Sequence, residues 1–229
     1  MIILINYFKK IIKLVVLFGF ITGAMVPRLA QAGSYEDFFS AISRDDARTI
    51  ETLLLRGFDA NTLDPNAQHA LFLAAREPAP AAANALLLAT NINVNHLNAQ
   101  GESALMMAAL RGLDGLVEQL ISKGADVNKT GWTPLHYAAT HGHLKIISLL
   151  IEHHAFIDPR SPNGTTPLMM AAQYGTPEAV KLLLEEGAEP LLKNQQGLTA
   201  IDFAQRATRP DAVELITAAV RKRLPAGKW

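Results

Sequence analysis

The chain has 229 residues, of which 49% are hydrophobic and 18% charged, a balance that suits packed units and argues against a disordered chain. Lys and Arg total 21 against 21 Asp and Glu, so the charge balance does not suggest a nucleic-acid partner. There is no cysteine, which removes disulfides, thiolate nucleophiles and thiolate metal sites together.

Residues 1–32 carry Lys9, Lys10, Lys13 and Arg28 and no acid. An apolar run from Leu14 to Val26 follows the lysines, Pro27 breaks it, and Ala30-Gln31-Ala32 comes next. A positive start, a short apolar run and an A-x-A site are the three parts of a secretory signal peptide. The run is shorter than the ~20 residues that cross a bilayer core. The expectation is therefore cleavage after Ala32, a mature domain of residues 33–229, and a periplasmic or secreted protein with no stable membrane insertion. Residues 1–8 are also apolar and leave an uncleaved inner-membrane anchor as the alternative, against which the three lysines stand.

Beyond residue 35 the chain repeats itself. Leu71, Leu105, Leu135, Leu168 and Ile201 are spaced 34, 30, 33 and 33 residues apart, and each is followed three residues on by alanine. Leucine-rich clusters run in step, at Leu53-Leu54-Leu55, Leu86-Leu87-Leu88, Leu120-Ile121, Leu149-Leu150-Ile151 and Leu182-Leu183-Leu184. Each period reads as two short helices and a loop. The alanine pair gives the first helix a thin face, and the second carries apolar residues at helical spacing, as in Val180, Leu183 and Leu184. Thr176-Pro177 has the form of an N-cap followed by proline at the first helical position. No single unit buries its apolar face alone, whereas a stack buries a continuous core. The predicted class is all-α, a solenoid of about six units at 35–67, 68–100, 101–130, 131–163, 164–197 and 198–223. The 30-residue interval is shortened between Val127 and Gly131, four steps against the seven from Ile157 to Gly164, so a loop is clipped and not a helix. Glu77-Pro78-Ala79-Pro80 should stop the first helix of repeat 2 near Arg76.

Gly131-Trp-Thr-Pro-Leu-His-Tyr-Ala-Ala139, with Gly142-His143 after it, resembles an ankyrin repeat, as does Gly164-Thr-Thr-Pro-Leu-Met-Met-Ala-Ala172. The likeness covers about residues 35–223 and weakens at both ends, where capping repeats need one wet side. Among family members, it resembles the small exported ankyrin-repeat proteins of Gram-negative bacteria. The resemblance implies a protein partner, no cofactor, no enzymatic activity and a monomer. It also marks the positions free of structural duty, those flanking the repeat glycine and those after the alanine pair. On this chain they give Arg111, Trp132, Tyr137, His141, Gln173, Tyr174 and Arg206 as the candidate partner-binding set, on the concave side. The competing reading is that these aromatics pack between repeats. No G-x-S-x-G, H-E-x-x-H or phosphate-binding loop is present. His141-Gly-His143 is the best candidate metal pair, yet the resemblance gives His136 and His143 structural hydrogen bonds. An enzyme accessory with histidine-based chemistry is the rival function.

Overall fold

A computed structural model describes residues 33–223. The expected signal segment at 1–32 lies outside the described residues. The described residues form six helix pairs: α1 (33–43) with α2 (Ala47–Leu55), α3 (Ala70–Arg76) with α4 (Pro80–Leu87), and α5 (Ala104–Arg111) with α6 (Asp114–Ser122). They continue as α7 (Pro134–His141) with α8 (Leu144–Glu152), α9 (Pro167–Tyr174) with α10 (Pro177–Glu185), and α11 (Ala200–Arg206) with α12 (Pro210–Arg223). Among the described residues there is no strand, only the single bridge between Leu63 and His69. None of the described helices is long and apolar enough to cross a membrane.

The odd-numbered helices from α3 to α11 pack one on the next as an inner row, and the even-numbered helices stand behind them as an outer row. The alanine pairs Ala74-Ala75, Ala108-Ala109, Ala138-Ala139 and Ala171-Ala172 are fully buried, which lets the inner backbones approach closely. Where the approach is tightest, a Cβ on Gly175 would collide with the Ala139 carbonyl oxygen. The outer helices supply the bulk: Ile146, Ile147 and Leu150 of α8 are completely buried, each contributing about 2 kcal/mol of transfer free energy. α3 ends at Arg76, as the prolines after it require.

Four inner helices, α5, α7, α9 and α11, begin on a common device with changing chemistry. A Ser or Thr caps the helix, and its own backbone N–H donates to the side chain three residues on. That acceptor is Met106 Sδ for Ser103 at 3.4 Å, His136 Nδ1 for Thr133 at 3.1 Å, Met169 Sδ for Thr166 at 3.4 Å and Asp202 Oδ2 for Thr199 at 2.7 Å.

The loops that return to the next inner helix are tied by side-chain turns. Asp64 Oδ1 accepts from the N–H groups of Asn66 and Gln68, Asn98 Oδ1 from Gln100 and Glu102, and Asn194 Oδ1 from Gln196 and Leu198. The clipped loop, residues 123–133, is three residues shorter than its counterpart at 153–166. Here the polarity reverses. Lys129 Nζ donates to the carbonyls of Thr130 and Trp132, at 3.0 and 3.2 Å.

A second ladder joins each repeat to the next. Asn61 Oδ1 accepts from the Asn93 N–H while its Nδ2 donates to the Asn91 carbonyl. Asn95 does the same to Asp126 N–H and the Gly124 carbonyl, and Asn128 to Phe156 N–H and the His154 carbonyl. In each case the carbonyl lies two residues before the N–H. At the fourth junction the residue is Asp158. Its Oδ2 accepts from the Glu189 N–H at 3.0 Å, but its Oδ1 is buried without a partner. The register places the Gly187 carbonyl where the amide hydrogen of an asparagine would go, and a carboxylate has none to give.

Candidate functional site

Arg111, His141, Tyr174 and Arg206 are the last residues of α5, α7, α9 and α11. They occupy one corresponding position on four consecutive inner helices and form a row along their C-terminal ends. Arg111, His141 and Arg206 are exposed, and Tyr174 keeps 59% of its surface open. Gln173 stands beside Tyr174, half-buried.

Trp132 and Tyr137 belong elsewhere. Trp132 precedes the cap of α7, at the opposite end of that helix from His141, and an eight-residue helix is about 12 Å long. It is half-buried and meets the His136 ring edge-on, 5.1 Å between centroids. Tyr137 is half-buried and donates from its hydroxyl to Glu102 Oε1 at 2.8 Å, reaching back to the previous repeat. Burial, then the hydrogen bond to Glu102, pushes the phenol pKa up. So four of the seven candidates share a row, Gln173 borders it, and two lie toward the other helix end.

The histidines show what the pattern does with imidazoles. His136 is buried, and its Nε2 lies 3.0 Å from the Thr165 carbonyl oxygen, which only accepts. Nε2 therefore carries the hydrogen and Nδ1 is left to accept from Thr133. Burial lowers the pKa of His136 to about 4. His69, buried on repeat 2, is likewise lowered to about 4, first by burial and then by His96, whose ring it stacks on at 5.0 Å. His143 Nε2–H donates to the Leu110 carbonyl at 3.1 Å, closing the C-terminal end of α5 from the next repeat. His141 stacks on His143, 5.8 Å apart and nearly parallel. Burial, then His143 and Arg111, hold the His141 pKa below the ordinary imidazole value. Among the described residues no three His, Asp or Glu side chains are grouped to hold a metal ion.

The sequence reading passed over Arg209. It stands 33 residues after Thr176, which itself stands 33 after His143, and all three open an outer helix. Arg209 Nη1 donates to the carbonyls of Gly175 and Ala171, closing the end of α9 beneath Tyr174. The register was the available signal. A further open surface lies on the outer side, a shallow apolar groove of about 440 Å³ between α2 and α4, bordered by Leu54, Leu55, Phe58 and Leu88. Leu55 and Leu88 are 89% and 70% exposed.

An inner row of short alanine-faced helices, an outer row of bulkier ones and a comb of tied loops define a repeat solenoid. A family model described as "Ankyrin repeats (3 copies)" matches residues 38–130, 71–162, 112–194 and 157–223, and the chain belongs to the ankyrin-repeat family. It is thereby a protein–protein interaction module. The crystal structure of the human ASB11 ankyrin repeat domain superposes with a TM-score of 0.73 at 27% identity, covering 80% of this chain and 82% of that one. Glycerophosphocholine phosphodiesterase GDE1 of Candida albicans is 39% identical over 119 residues, 48% of this chain and 10% of that protein. The rat Ankyrin repeat and SAM domain-containing protein 6 is 40% identical over 76 residues, 31% of this chain and 9% of its own length. The mouse 2-5A-dependent ribonuclease is 41% identical over 69 residues, 28% of this chain and 9% of its own. The matched stretch is thus a tenth or less of each of these curated relatives.

Proposed function

We propose that the protein is an exported, non-enzymatic adaptor that binds a partner protein through its inner-helix face. The observation that carries the reading is the row of Arg111, His141, Tyr174 and Arg206, open at equivalent positions of four helices that the fold holds rigid. A preformed surface loses little conformational freedom on binding, and Tyr and Arg are enriched among residues that dominate binding energy. Tyr174 has no structural task among the described residues that would explain 59% exposure of a large ring. Trp132 and Tyr137, half-buried against His136 and Glu102, take the role of edge and support. The proposed location is the periplasm or the exterior, argued from the lysine-led apolar run and Ala30-Gln31-Ala32. The mature chain is proposed to be a monomer beginning at Gly33.

A photo-cross-linking amino acid at position 174, expressed in the native host, is expected to give a discrete adduct with one protein, while the same residue at position 88 in the outer groove gives none. An adduct at 88 and none at 174 would move the binding face to the outer side and sink the reading. Intact mass of the exported protein tests the processing: residues 33–229 are expected, and retention of 1–32 would favour the inner-membrane anchor.

A further inference from the structure

The row at the ends of the inner helices has a charge character that the whole chain lacks. The three-residue band that contains it reads Leu110-Arg111-Gly112, Thr140-His141-Gly142, Gln173-Tyr174-Gly175 and Gln205-Arg206-Ala207, with no carboxylate in any repeat. One helix earlier the same band, Ala75-Arg76-Glu77, carries an acid, and it is spent on its own arginine at 2.9 Å. The carboxylates nearest along the chain are also engaged. Asp114 faces Lys145 at 3.8 Å, Asp211 faces Arg209 at 3.3 Å, and Asp202 accepts from Thr199. Glu178, in the first turn of α10, is the exposed acid that remains, where the helix dipole favours it.

Arg111 and Arg206 are in a different condition. Among the described residues neither guanidinium has a hydrogen bond or an ion pair, although Arg206 lies near enough to Asp202 to help lower its pKa. A cation at a helix C-terminus is favoured by the dipole alone, on α5 and on α11 alike. The dipole does not account for the exposed tyrosine between the two arginines, and the carbonyls that end α5 and α9 are bonded by other residues. The Leu110 carbonyl takes its hydrogen from His143, and those of Ala171 and Gly175 from Arg209. Arg111 and Arg206 each carry five donors, and among the described residues no acceptor takes a hydrogen bond from either.

We infer that this row receives an acidic, extended segment of the partner protein, with carboxylates set on Arg111 and Arg206 and an apolar or aromatic side chain on Tyr174. The inference rests on the inner-helix reading above and adds the chemistry of what binds there. Arginine suits it because its planar fork takes a carboxylate through two parallel hydrogen bonds. His141, between Arg111 and Tyr174 in the row, contributes a ring nitrogen for a hydrogen bond. Geometry fixes the spacing. Neighbouring helices pack about 10 Å apart, so three steps from Arg111 to Arg206 make roughly 30 Å. An extended segment rising about 3.3 Å per residue covers that in about nine residues. The partner segment therefore carries acids about nine residues apart, with an apolar residue about six from the acid on Arg111 and three from the acid on Arg206.

The test uses the full chain and a fluorescein-labelled eleven-residue peptide with two glutamates at each end and a tryptophan at position seven. Binding is read by anisotropy. Saturable binding that weakens as salt rises is expected, with no binding of the same peptide carrying lysines at both ends. Arg111→Glu with Arg206→Glu is expected to weaken the acidic peptide at least ~10-fold, the scale of a hot-spot pair, with the melting temperature unchanged. Equal binding of the lysine peptide, an unchanged Kd in the double variant, or tighter binding of a ten-nucleotide oligo-dT would each overturn the inference. The cross-linking experiment separates the two failures. An adduct at position 174 that survives the double charge reversal removes the acidic partner and keeps the face, whereas no adduct at 174 removes both.

Discussion

Asn128 and Asp158 occupy the same place in successive repeats and hold their neighbours differently. Asn128 receives the Phe156 N–H and gives a hydrogen to the His154 carbonyl. Asp158 receives the Glu189 N–H, and its second oxygen stays buried and unpaired. Burial and the neighbouring Glu189 raise the Asp158 pKa, with the Glu189 N–H, Arg223 and Arg160 acting in the opposite sense. One atom, N against O, turns a pH-indifferent joint into one that prefers a proton. Across the same boundary, His136 ties α7 to the Thr165 carbonyl and prefers no proton. The fourth and fifth repeats thus meet at two groups with opposite responses to acid.

The largest effect should come from His136. Its folded pKa of about 4 lies below the ordinary 6.5, so the unfolded chain binds the extra proton, and stability is lost as pH falls from 6.5 towards 4. The full shift corresponds to roughly 3 kcal/mol. His136→Met, the residue that fills the same cap position in repeats 3 and 5, is expected to flatten that part of the pH profile in urea unfolding. An unchanged slope would show that the loss arises at His69 instead. Next comes Asn128→Ala, which removes both inter-repeat bonds and is expected to cost about 2 kcal/mol, at about 1 kcal/mol for each bond. A cost near zero in the same assay would mean the ladder does not couple repeats.

Asp158→Asn should then stabilise by about 1 kcal/mol at pH 7 by restoring the missing donor. The sign with pH is definite. A raised carboxylate pKa makes the native state hold its proton longer, so its contribution is present at low pH and lost as pH rises through the folded pKa. The gap between Asp158→Asn and the parent is therefore expected to be widest at pH 7 and to close below pH ~4. A gap independent of pH would assign the effect to packing. The smallest effect is expected from inserting three residues between Asn128 and Lys129, which restores the ordinary loop length. Loop length itself costs little, so a change below about 1 kcal/mol is expected, and a loss of several would show that the Lys129 clamp holds the packed core.

Much of this molecule could be read from its letters. The period set the helix pairs, the clipped interval fell in the loop, and Pro78 ended α3 at Arg76, because hydrophobic spacing and proline geometry act locally. The candidate face was legible as repeat positions, and Arg111, His141, Tyr174 and Arg206 fall in one row for that reason. What the letters did not separate was helix end from helix end. Trp132 and His141 lie nine positions apart on one short segment, and only the folded helix sends them to opposite sides. The cap position three residues into α5, α7, α9 and α11 was equally opaque. Met, His, Met and Asp look unrelated in sequence, yet sulfur, nitrogen and oxygen all serve there as an acceptor for one N–H.

The position of Arg209 sets how far this protein can be shortened. The carbonyls that end α9, where Tyr174 stands, are bonded from the sixth repeat. A chain stopped at residue 197 would lose Arg206 from the row and, with Arg209, the bonds that close the helix carrying Tyr174. The last repeat therefore both presents part of the row and holds another part in place.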